Sequence, residues 1–176
     1  MPQRLSTLSL VALVLMAAPS PLAAAPETPL RSSNATGWAE IVDSRSGSRI
    51  SYPTGVFRER ASEPEGRVLV SPDGDARLLV GSFLNESGAS LDAYRTQILS
   101  DNYGGAELDY APQRKTWFVL SGTIGPMMFY ERVSFTCDGR YINSWAMVYP
   151  TAQRKTYDRV VEAIAPTFRP GTEHCD

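Results

Sequence analysis

From Thr116 to Tyr149 the chain is a series of apolar runs parted by short polar breaks. Trp117-Phe118-Val119-Leu120, Met127-Met128-Phe129-Tyr130 and Trp145-Ala146-Met147-Val148-Tyr149 barely alternate at all. A sheet with one wet face alternates apolar and polar residues, whereas strands covered on both faces read as continuous apolar runs. These three segments are therefore central strands. Ala106 to Tyr110 does alternate, which places it nearer an edge. The separators Pro112 to Lys115, Gly125-Pro126 and Asp138-Gly139 are turn material. The pattern predicts an antiparallel meander of Ala106–Tyr110, Thr116–Thr123, Met127–Phe135 and Tyr141–Tyr149.

Upstream, Trp38–Asp43 and Ser48–Tyr52 form a strand pair across Ser44 to Gly47, and Pro53 closes the second strand. Gly55 to Gly66 reads as a polar connection anchored by Phe57. Arg67–Ser71 and Ala76–Phe83 flank the turn Pro72-Asp73-Gly74. Ser90 is an N-cap for a helix whose Leu91, Tyr94, Ile98 and Leu99 share one face, stopped by Gly104-Gly105. A second helix spans Gln153 to Ala165, burying Tyr157, Val160, Val161 and Ile164, and Pro166 ends it. Central strands covered on both faces need a roof on each side, and the two helices are the available material. The expected fold class is α+β: an α/β/α sandwich around a mainly antiparallel sheet. The alternative is a β-barrel with a ligand cavity.

The N-terminus carries a different signal. Arg4 is followed by an apolar run from Leu8 to Ala18, then Pro19-Ser20-Pro21 and the small residues Ala23 to Ala25. This is the layout of a cleaved export signal, too short to span a bilayer. Cleavage after Ala24 is expected. Residues 1–25 are thus a signal peptide, 26–37 a flexible Pro/Ser/Thr-rich leader, and 38–176 one globular domain. The protein is expected to be exported, to the periplasm or beyond, with no membrane span in the mature chain. In an oxidising compartment Cys137 and Cys175 read as one disulfide, the alternatives being two free thiols or an intermolecular bond.

Composition removes most recognisable chemistry. The chain has 17 Lys+Arg against 19 Asp+Glu, a net charge of −2, too weak a field for nucleic acid or an acidic membrane. One His and two distant Cys give no metal set, so no metal and no cofactor are expected. Ser121-Gly122 lacks the spacing of an exposed nucleophile turn and no imidazole lies near it in sequence. His174 reads as a solvated tail residue. Glu107 and Asp109 share a strand face at an exposed edge, where both stay ionised. Asp73-Gly74-Asp75 lacks the further acids of a calcium loop and reads as a hairpin turn.

Two features keep a ligand site open. Glu131 stands within an apolar strand, and a charge there needs a partner or an exit to solvent. It is either half of a structural ion pair with an Arg, the favoured expectation, or it lines a pocket. Tyr141, Trp145 and Tyr149 alternate along one face of the last strand, as core beneath a helix or as the floor of a cleft. Glu131, Tyr141, Trp145 and Tyr149 are accordingly the candidate ligand-binding residues. Gln-Arg-Lys-Thr occurs at 113–116 and again at 153–156, in different structural settings, so it is not a structural repeat.

The order of elements resembles a known superfamily. A strand from Gly47 ending in Tyr52-Pro53 precedes Phe57. Later come a strand ending in Tyr149-Pro150, a helix with Tyr157-Asp158 and Val160-Val161, and Thr167-Phe168-Arg169. This resembles the PsbP/Mog1-like superfamily over roughly residues 38–169. It is similar also to exported bacterial proteins with Trp-Phe-Val-Leu-Ser-Gly and Phe-Tyr-Glu-Arg, here at 117–122 and 129–132. The resemblance implies an α/β/α sandwich and a non-catalytic binding or assembly domain whose partner is a protein or small molecule. It carries no functional residue onto this chain. The alternative is a hydrolase or carbohydrate-active enzyme using Glu131 with a second carboxylate.

Overall fold

In the computed structural model, residues 37–63, 66–172 and 175 are described. The expected signal peptide, the leader apart from Gly37, and His174 lie outside them. The first two strands, β1 (Trp38–Val42) and β2 (Arg49–Pro53), make an antiparallel hairpin of their own. Next come β3 (Arg58–Glu63), β4 (Gly66–Val70), β5 (Arg77–Leu84) and helix α1 (Leu91–Asp101). The remainder is β6 (Glu107–Tyr110), β7 (Trp117–Ile124), β8 (Met127–Thr136), β9 (Tyr141–Pro150) and helix α2 (Arg154–Ile164).

Strands β3 to β9 form one seven-stranded sheet in the order β3-β4-β5-β9-β8-β7-β6, with every pairing antiparallel. The sheet is open, with β3 and β6 at its two edges, so the barrel alternative is overturned and the α+β sandwich holds. Period-two alternation along β8 and β9 sends the two faces into separate cores. One core gathers Leu78, Val80, Met128, Trp145, Met147 and Tyr149 beneath Tyr157, Val161 and Ile164 of α2. The other gathers Phe118, Leu120, Phe129, Val133, Phe135 and Ile142 beneath Ile98 of α1 and Tyr103 just beyond it.

The roof on the α2 side is shared. Ile41, Ile50 and Tyr52 of the β1–β2 hairpin are buried in the same core as α2, so helix and hairpin together cover that face. Helix α1 begins where expected: Ser90 Oγ accepts from the Ala93 amide at 3.2 Å, the role of an N-cap.

One stretch differs from the sequence expectation. Within Gly55 to Gly66, expected as a connection, lies edge strand β3, reading Arg-Glu-Arg-Ala-Ser-Glu. An edge strand with so little apolar content gives no hydrophobic pattern to read, and its charges discourage pairing with other chains. Both edges also carry register shifts, between Glu59 and Ala61 and between Leu108 and Tyr110, which blunt them further.

Candidate functional site

The aromatic stripe of β9 is core. Trp145 is 0% exposed and Tyr149 2%, while Tyr141 at the strand start is half-buried. Trp145 packs against Tyr130 with ring centroids 4.8 Å apart, and Tyr149 against Tyr157 at 5.4 Å. The Tyr149 hydroxyl donates to Asp158 Oδ1 at 2.6 Å; burial first, then this carboxylate, raises the Tyr149 pKa.

Glu131 points the other way. It pairs with Leu120 and Ala146 in the sheet and shares the α1 face with Phe129 and Val133. The four candidate ligand residues therefore divide between opposite faces and do not form one site. Glu131 is 3% exposed, and its partner is not the expected Arg: the Tyr103 hydroxyl donates to Glu131 Oε2 at 2.7 Å. Burial pushes the Glu131 carboxyl up to about 7, with the Tyr103 hydrogen bond holding it partly back. Tyr103, stacked on Phe129 at 4.1 Å, is raised by burial and then by the Glu131 charge. A tyrosine is enough because one strong donor satisfies a carboxyl that is largely protonated below pH 7.

The residue after Glu131 faces the α2 side. Arg132 stands opposite Trp145 on β9 and Val119 on β7. Its guanidinium carbon lies 5.0 Å from the Trp117 ring centroid and 5.7 Å from that of Phe168, within cation–π range of both rings. Beside it runs a buried polar chain. Ser82 Oγ donates to Ser46 Oγ at 2.7 Å and lies 3.0 Å from Asn143 Oδ1, while Asn143 Nδ2 donates to Thr136 Oγ1 at 2.9 Å. The chain fastens the β1–β2 turn to the sheet.

At the far end of the sheet lies an open cleft of about 820 Å³, lined by Asn85, Ser90, Lys115, Thr136, Arg140 and Thr172 among others. The Cys137–Cys175 disulfide, Cα–Cα 4.9 Å, borders it, so the expected pairing is present. Asn85 Nδ2 donates to the carbonyls of Ala89 and Gly139 at 2.9 and 2.8 Å, tying the loop before α1 to the β8–β9 turn. In that turn Cys137 and Asp138 have φ of 53° and 54°, a left-handed conformation costly for residues with a Cβ. The cleft escaped the sequence reading because loops far apart in the chain build it; the one available signal was Lys115 within the repeated tetrapeptide.

The other candidates fall where expected. Glu107 and Asp109 are exposed on edge strand β6, Asp109 3.7 Å from Arg154. Asp73 accepts from the Ser71 hydroxyl and the Asp75 amide within the β4–β5 turn, and those bonds lower its pKa. Gln113 and Gln153 of the two tetrapeptides bond different residues, Asp92 and Asp75. Among the described residues no helix is long and apolar enough to cross a membrane.

No family model and no curated protein matches the chain. Solved structures do. The solution structure of cyanobacterial PsbP (CyanoP) from Synechocystis superposes with a TM-score of 0.56 at 16% identity, over 86% of this chain and 99% of that one. The Saccharomyces cerevisiae Ran-binding protein Mog1p superposes with a TM-score of 0.55 at 10% identity, over 78% and 97% of the two chains. The open antiparallel sheet roofed on both faces is thus the PsbP/Mog1-like fold.

Proposed function

We propose that the chain is an exported, non-catalytic binding or assembly domain, and that its partner is a protein seated in the cleft beside the disulfide. The observation that carries this is the contrast between two places. Glu131, the acid on which an enzymatic reading depends, is sealed between sheet and α1 with a tyrosine as its bonded partner. The open space of about 820 Å³ is instead lined by loop and turn residues, with the cations Lys115 and Arg140 beside the apolar Leu91 and Phe135, a surface suited to holding a chain segment. Fold likeness to a Ran-binding protein supports binding to a protein, although fold alone never fixes function. Export is supported by the N-terminal pattern and by the disulfide.

Photo-crosslinking in the native cell envelope tests the proposal. A photo-reactive residue replaces Lys115 on the cleft, or Arg58 on the β3 edge as control. One protein captured in stoichiometric yield from position 115 alone supports the proposal. No adduct, or equal labelling from both positions, refutes it.

A further inference from the structure

The cleft beside the disulfide has a sign. Lys115 and Arg140 are among the residues that line its space of about 820 Å³, and among the described lining residues Asp138 is the one acid. All three are exposed. The chain as a whole runs the other way, with 19 acids against 17 bases. A local excess of positive charge on an acidic protein attracts ligands that the rest of its surface repels.

Several neutral polar groups of the cleft are already spent on the fold. Asn85 Nδ2 donates to the carbonyls of Ala89 and Gly139, and its Oδ1 accepts from the Ala89 amide at 3.1 Å. Ser90 Oγ caps α1, and Thr136 Oγ1 accepts from Asn143. These bonds hold the walls in place before any ligand arrives, which lowers the cost of binding. Lys115, by contrast, has no ion pair among the described residues. The lining also includes Leu91, half-buried, and Phe135, 7% exposed, so a ligand meets apolar surface as well as charge.

We propose that the occupant of this cleft is an acidic segment of a different protein, with carboxylates set against Lys115 and Arg140 and an apolar side chain against Leu91. The inference rests on the cleft being a protein-binding surface and adds the chemistry of the partner. Asp138 is then the lining charge that opposes the ligand. The rival occupants are a second copy of the chain and the chain's own Glu173 and Asp176, which flank Cys175 in sequence.

The test places a photo-reactive residue at Thr116, which lines the cleft and carries no charge. Washed native envelope is irradiated at ionic strengths of about 0.01 M and about 1 M, where charges are felt over about 30 Å and about 3 Å. The expected adduct joins one other protein at a peptide rich in Asp and Glu, and its yield falls about tenfold at high salt. Lys115→Glu lowers the low-salt yield about fivefold, and Asp138→Asn raises it about twofold. The gain at Asp138 is one that damage to the fold would not produce, and Asn tolerates the φ of 54° found there. An adduct whose yield ignores salt and both substitutions overturns the acidic partner while leaving a protein in the cleft. Absence of any adduct overturns the protein-binding reading and this inference with it. Crosslinking to a second copy, or within the chain to the segment around Cys175, overturns the proposal in favour of self-occupancy.

Discussion

Tyr103, two residues past the end of α1, donates a 2.7 Å hydrogen bond to Glu131 in the middle of β8, and both residues are buried. The carboxyl they enclose has a folded-state pKa of about 7 against an ordinary 4.5. The folded protein thus keeps this proton at pH values where the unfolded chain has released it. Its contribution to stability is full below about pH 4.5, declines as pH rises towards 7, and is level beyond. The expected loss across that window is about 3 kcal/mol. Glu131→Gln removes that part of the pH dependence. Urea unfolding at pH 5 and pH 8 checks it, as the difference between the two conditions in the wild type minus that in the variant.

Trp145→Ala lowers stability by about 3–5 kcal/mol, because a fully buried indole leaves a cavity between β5, β8 and α2. Tyr141→Ala costs clearly less, since Tyr141 is only half-buried. Denaturation midpoints at constant slope give both values. Equal losses at the two positions would contradict a stripe that serves as core.

Removing the disulfide as Cys137→Ser with Cys175→Ser costs about 4 kcal/mol in the loop-entropy picture, for a separation of 38 residues. The fold should survive, because Phe168 and Thr167 hold the preceding segment independently: Phe168 is buried, and Thr167 Oγ1 accepts from the Ser51 amide at 3.0 Å. Unfolding with and without reductant measures the cost, and thiol titration of the denatured, unreduced protein should find no reactive thiol.

Gly122→Ala should loosen one edge of the sheet. A Cβ at this position would lie 2.0 Å from the Glu107 carbonyl oxygen, a backbone atom that cannot step aside without moving β6. The expected result is faster amide exchange at Leu108 and Tyr110 with the β8–β9 pairing still protected. Uniform loss of protection across the sheet would refute a local effect.

Legibility followed burial. The central strands could be read because both their faces are covered, which leaves long apolar runs; β6 falls at the edge its alternation predicts, although all four of its residues, Leu108 and Tyr110 included, are exposed. Strand β3 escaped because its sequence is charged almost throughout. The share of the roof taken by the β1–β2 hairpin was equally hidden: the pattern shows that a face is covered and is silent on what covers it. Glu131 was legible as an anomaly, but its partner was not. A chain rich in Arg points to an ion pair, whereas a protonatable acid deep in a core needs only the hydroxyl of Tyr103. The setting of its neighbour Arg132 is not legible in sequence, since the rings beneath its guanidinium come from Trp117 and from Phe168 far along the chain.

The position of β9 between β5 and β8 also governs when the molecule can assemble. Without residues 141–150, β3–β4–β5 and β6–β7–β8 are two unjoined hairpin stacks, each ending in an unpaired border strand. The last strand acts as a keystone, zipping eight residues of β5 to one side of itself and ten of β8 to the other. A chain truncated ahead of Tyr141 has nothing to bridge that seam and would be an aggregation hazard. Completion of the sheet therefore waits on residues 141–150.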